Sequence, residues 1–114
     1  MNTSNFARNG RHPNAVAISS THPKWFKGRH YRPLAPSWKL VDAYKSGKIM
    51  AETYTDSYKQ TVLSKLDPRK VFNELGRDAI LLCYEKPGEF CHRRIVAAWF
   101  EIALGVFGVE VKEL

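Results

Sequence analysis

Acidic residues are missing from the first third of this chain: no Asp or Glu occurs before Asp42. The same stretch carries Arg8, Arg11, Lys24, Lys27, Arg29, Arg32 and Lys39. In the rest of the chain the remaining 11 of 18 Lys/Arg are matched by all 11 Asp/Glu. The whole formal charge of +7 on 114 residues therefore sits at one end. Such asymmetry points to a phosphate-bearing partner more than to solubility alone. Cysteine is scarce, with only Cys83 and Cys91. Two are too few for the framework of a small secreted domain, so free thiols in a reducing compartment are expected. No run of about 18 apolar residues exists, so no membrane span is expected. The start of the chain has no apolar signal core, and a cytoplasmic location is the default. A Walker loop, G-x-G-x-x-G, H-E-x-x-H and G-x-S-x-G are all absent, which removes the commonest readings of a small α/β protein.

What is present is organised around residues 79–104, AILLCYEKPGEFCHRRIVAAWFEIAL. The run Ala79 to Tyr84 is short and apolar, as in a strand covered on both faces of a parallel sheet. Glu85-Lys86-Pro87-Gly88 follows with turn chemistry. Ile95 to Leu104 is too long and apolar for one ordinary strand and ends before Gly105, where a helix C-cap would sit. The reading is strand, loop, helix, with Cys91-His92-Arg93-Arg94 at the loop–helix junction. Unpaired N–H groups and a partial positive charge at a helix start attract anions.

Elsewhere, residues 1–13 have no periodicity and read as a flexible basic arm preceding a single domain over 14–114. Ala15 to Ser19 reads as the first strand. Residues 20–36 form a long irregular loop mixing His22, Lys24, Lys27, Arg29, His30 and Arg32 with Trp25, Phe26 and Tyr31. Loops of that length in small domains are usually functional or disordered, and the aromatics argue against disorder. Three helices follow. Ser37 caps one that ends at Gly47. Ala51–Leu66 carries Tyr54, Tyr58 and Val62 on one face. Asp67-Pro68 opens the third, which Gly76 closes. Val109–Lys112 alternates as a short last strand. The expected fold is a small α/β domain, three-layer-like, with a short, mainly parallel sheet and about four helices.

The segment CYEKPGEFCHRR resembles the C-terminal signature of the domain of unknown function 488 family, at Cys83, Glu85, Cys91, His92 and Arg93. The resemblance extends more loosely over residues 14–104. It implies a fold and a site but no settled reaction. One departure stands out. Many members carry Asp-Val-Arg at the end of the first strand, and Ala15–Ser20 lacks that pair.

Ligands of open parallel sheets bind beyond the carboxyl ends of strands. Two loops leave such ends here, Ser20–Pro36 and Glu85–Cys91. Adjacent strands would bring them together into a pocket, with Lys24, Trp25, Lys27, Arg29, Tyr31, Arg32, Arg93 and Arg94 as ligand contacts. One of Arg93 and Arg94 is expected to face inward and the other to be solvated or paired, and the resemblance favours Arg93 as the inward one. Cys91 at a helix start beside cations is a candidate nucleophile, with His92 or Glu85 handling protons; packing is the other role open to it. Glu85 could equally pair with Arg93 or Arg94. A phosphatase loop needs Arg at the sixth position after its cysteine; Ala97 and Glu89 stand there instead. Cys83, Cys91 and His92 lack a zinc-knuckle spacing, so neither metal nor cofactor is expected. The first reading is a protein that binds a phosphorylated small molecule or nucleic acid. An enzyme using Cys91, His92 and Glu85, or a non-catalytic module with a basic face, are the alternatives.

Overall fold

The computed structural model describes residues 1–114. Its sheet has five strands in the order β3-β2-β4-β1-β5, all paired in parallel. They are β1 (Asn2–Asn5), β2 (Ala15–Ala17), β3 (Arg29–His30), β4 (Ile80–Cys83) and β5 (Lys112–Glu113). The helices are α1 (Phe6–Asn9), α2 (Trp38–Lys45), α3 (Ala51–Thr61), α4 (Pro68–Leu75) and α5 (His92–Leu104). The α/β class and parallel sheet agree with the sequence reading, and β2 and β4 are neighbours as expected.

Residues alternate across the sheet because successive side chains of a strand point to opposite faces. Val16, Ile18 and Leu81 enter the main core with Tyr58, Val96 and Phe100 of the overlying helices. Ala15, Ala17, Ile80 and Leu82 face the other way, against Phe6 of α1 and Phe26 of the 20–28 loop. The domain is thus a thick helical layer, a sheet, and a thin third layer. Local chemistry sets the helix limits. Ser37 Oγ accepts from Leu40 N–H at 3.1 Å at the start of α2. Asp67 accepts from Arg69 N–H with Pro68 next in line, and Gly76 ends α4 at φ 92°, a conformation that favours glycine. α3 stops at Thr61, short of the expected Leu66, and continues as a 3-10 turn over Leu63–Lys65. The Tyr54 and Tyr58 rings are core, as their spacing implied, and Tyr58 Oη donates to the Leu34 carbonyl at 2.6 Å.

The expected N-terminal arm is corrected. Residues 2–5 form an inner strand between β4 and β5. Thr3, Ser4 and Asn5 are buried, yet each polar side chain has a partner. Thr3 Oγ1 donates to Glu113 at 2.6 Å, Ser4 Oγ donates to Asn9 Oδ1, and Asn5 Oδ1 accepts from Arg8 N–H. Ala15–Ala17 is therefore the second strand. The last strand falls at Lys112–Glu113, at the end of the expected segment.

Candidate functional site

The loops leaving β2 and β4 converge, as the sequence implied. Thr21 Oγ1 and Tyr84 Oη lie 3.3 Å apart. The start of α5 joins them, where His92 Nε2 meets the Ile18 carbonyl at 2.7 Å. Between these segments and α2 lies a cleft of about 70 Å³, bordered by Ser20, Trp38, Lys45, Tyr84, Glu85 and Phe90 and backed by Cys83, Cys91 and His92. At about 10–15 Å³ for each water, that space takes a group the size of a phosphate and not a whole nucleotide. Its rim is aromatic: the Trp38 and Tyr84 side chains are 64% and 46% exposed. Lys45 is the only Lys or Arg on its lining.

Cys83 and Cys91 are joined by a disulfide, which corrects the expectation of free thiols. Cys83 ends β4 and Cys91 is the N-cap of α5. The intervening loop turns back through Gly88, at φ 89°, and so brings strand end and helix start together. In this state Cys91 is not a free nucleophile. The donor atoms of Cys83, Cys91 and His92 lie within 4.8 Å of one another, but each sulfur is spent on the other. Such a set offers a metal only His92.

His92 is buried and neutral. Its Nε2 faces a carbonyl, which only accepts, so Nε2 carries the proton and Nδ1 keeps its lone pair. That Nδ1 is 3.8 Å from Cys91 Sγ. Burial pulls the imidazole pKa down to about 4, against a smaller opposing effect of the Ile18 carbonyl. Burial followed by the nearby Glu85 carboxylate pushes the Tyr54 phenol well up.

Arg93 and Arg29 are engaged by the protein itself, and Arg94 is half-exposed and paired. Arg93 does point inward but not toward a free anion site. It is 1% exposed, and its guanidinium is held by the protein itself. Nε and Nη2 donate to the two Glu113 oxygens at 3.1 and 2.7 Å, and Nη1 donates to the Glu85 carbonyl at 2.9 Å. Nη1 also reaches Cys83 Sγ at 3.2 Å. The charge partner of the signature is thus Glu113, while Glu85 gives its backbone and leaves its carboxylate at the cleft. Burial alone would raise the Glu113 pKa, but the hydrogen bonds from Arg93 and Thr3 outweigh it and hold the carboxyl below its ordinary value. Arg94 donates to Thr3 Oγ1 at 2.8 Å. Arg29 is also engaged: its guanidinium donates to the Leu75 and Glu74 carbonyls at the end of α4, at 2.9 and 2.8 Å. Tyr31 Oη donates to Glu74, and burial together with that carboxylate pushes the phenol up to about 12. Lys24, Lys27 and Arg32 are exposed and make no ion pair. Trp25 lies under the Arg11 guanidinium, 4.3 Å from ring centre to Cζ, and against Gly10. Sequence reasoning missed Trp38, Lys45 and Glu113. Trp38 had a signal, a large ring on the outer side of an amphipathic helix; the other two had none.

Such a domain is a small parallel α/β protein whose Cys-His-Arg helix start closes a cleft at the strand ends. Residues 7–104 match the family model described as the active DUF488-N3 subclade, so the chain belongs to the DUF488 family. The match begins ahead of β2, within α1. No curated protein and no solved structure matches.

Proposed function

We propose that the protein binds a phosphorylated ligand, a nucleotide or one unit of a nucleic acid, at the cleft between α2, the β2 and β4 loops and the start of α5. The observation that carries this reading is a phosphate-sized space at strand carboxyl ends. Lys45 and a helix start without a side-chain cap border it, and exposed aromatic rings frame it. Free N–H groups at a helix start favour an anion. The Trp38 and Tyr84 faces suit a base lying outside the small space, since stacking on aromatics is tolerant of base identity. The basic loop residues Lys24, Lys27 and Arg32 would supply the longer-range attraction of a polyanion.

Calorimetric titration with a nucleoside monophosphate and with a short single-stranded oligonucleotide tests the reading. Lys45→Ala and Trp38→Ala should each weaken both ligands by about tenfold, the worth of one lost charged contact or stacked base. Unchanged affinity in both folded variants would remove the cleft as the site.

A further inference from the structure

We propose that Cys83–Cys91 is a reversible thiol–disulfide site serving low-molecular-weight thiols and disulfides, with Cys91 the sulfur attacked and Cys83 the sulfur that leaves. It is chemistry separate from the binding of an anion. The two sulfurs differ in surroundings, and the difference sets the direction of exchange.

Cys91 is 5% exposed and borders both the cleft and the open groove between α3 and α5, the two sides from which an incoming thiolate would approach it. Cys83 borders the cleft alone and is only 1% exposed. Arg93 Nη1 points at Cys83 Sγ from 3.2 Å and is fixed in place by Glu113 and the Glu85 carbonyl. A buried cation aimed at a sulfur stabilises the thiolate, and a stabilised thiolate is the better leaving group. In the forward step a small thiolate bonds to Cys91 Sγ. The Cys83–Cys91 bond breaks, and its electron pair stays on Cys83 beside Arg93. A second small thiolate then bonds to the sulfur of the first. The Cys91–sulfur bond breaks, Cys91 leaves as thiolate, and a small-molecule disulfide departs. Two electrons have passed to the protein. The reverse sequence, with a small disulfide as oxidant, restores the Cys83–Cys91 bond. His92 Nδ1 lies 3.8 Å from Cys91 Sγ with its lone pair free, placed to accept a hydrogen bond when Cys91 is a thiol.

Single-cysteine variants separate the two sulfurs. Folded Cys83→Ser treated with glutathione disulfide should accumulate a stable mixed disulfide at Cys91, read by intact mass. Cys91→Ser should remain largely unmodified. The parent chain, equilibrated in glutathione buffers and quenched by alkylation, should pass between one fully oxidised and one doubly alkylated species. Far-ultraviolet circular dichroism of each variant checks that it is folded. A parent disulfide that stays intact under excess reduced glutathione would make the pair a fixed cross-link and overturn the site. Preferential adduct formation on Cys91→Ser would overturn the assignment of Cys83 as the leaving sulfur. If Cys83→Ser does not fold, the parent settles the order: limiting glutathione disulfide added to the reduced chain should leave its transient adduct on Cys91, by peptide mapping, and an adduct on Cys83 overturns the assignment.

Discussion

Arg93 is the largest of the fully buried side chains, and its partners decide what the Cys-His-Arg signature does. An arginine chosen for an anion would keep donors free for it. Here Nε, Nη1 and Nη2 all have partners within the protein. Removing the partner of a buried charge is more damaging than losing the pair's net attraction, because the remaining charge is left desolvated. Glu113→Ala should therefore cost about 3 kcal/mol in urea denaturation. Arg93→Lys should also destabilise, since an ammonium cannot span both carboxylate oxygens and the Glu85 carbonyl. A Glu113→Ala chain as stable as the parent would refute this account of the signature. His92 gives a second residue-scale test. Its folded pKa of about 4 lies below the ordinary value of 6.5, so in that window the unfolded chain binds the proton and the fold does not. Stability from this group is complete above the unfolded value and falls as pH drops toward the folded one. Glu113 acts with the same sign at lower pH, where its depressed carboxyl is finally protonated. From about pH 7 to about pH 5 the His92 contribution should fall by about 2 kcal/mol, and His92→Gln should flatten that slope. An equal slope in the variant would show that another group carries it.

At the scale of elements, what was legible followed from how each segment is covered. The Ala79–Tyr84 run is apolar because β4 lies inside the sheet with side chains on both faces, and the apolar run gave it away. The helices announced themselves through Ser37, Asp67-Pro68 and the closing glycine of α4. β1 is buried from Thr3 to Asn5 yet reads Asn-Thr-Ser-Asn, the composition of a turn. Its hydrogen-bond partners, Asn9 and the distant Glu113, cannot be found from local periodicity. The cleft was half legible for the same reason. Parallel adjacency of β2 and β4 could be argued from two apolar runs, whereas the partner of Arg93 stands 20 residues away with no pattern linking them. The strand position of residues 2–5 makes a clear prediction. A chain lacking residues 1–5 should lose cooperative unfolding, because β5 pairs with β1 alone and β4 loses one neighbour. An arm would be removed with little effect. Native-state hydrogen exchange of the intact chain gives a gentler check: amides of Thr3 to Asn5 should be protected as well as those of Ile80 to Cys83. Rapid exchange at Thr3 to Asn5 alone would contradict the inner strand.

At the scale of the whole molecule, the concentration of charge in the first third gains a shape. The segments 6–12 and 22–28 fold together as the thin layer, where Phe6 meets Phe26 at 5.2 Å and Arg11 covers Trp25. The seven cations of that third are not equivalent. Arg29 is tied to the carbonyls ending α4, and Arg8 donates to the Leu114 carbonyl at 3.0 Å. Lys24, Lys27 and Arg32 stand exposed and without an ion pair, available to phosphates. Each phosphate contact to a single strand contributes about 0.7 to the slope of log affinity against log salt. Replacing Lys24, Lys27 and Arg32 together by Ala should therefore flatten the oligonucleotide slope by roughly 2. Arg29→Ala should leave the slope nearly unchanged and lower the melting temperature instead, since it releases the β3 segment from α4. Binding of a nucleoside monophosphate, which depends on the cleft, should keep its affinity in the triple variant. A slope that stays the same when the three exposed cations are gone would assign the charge excess to something other than nucleic acid. A monophosphate affinity that collapses with it would merge the loop and the cleft into a single site.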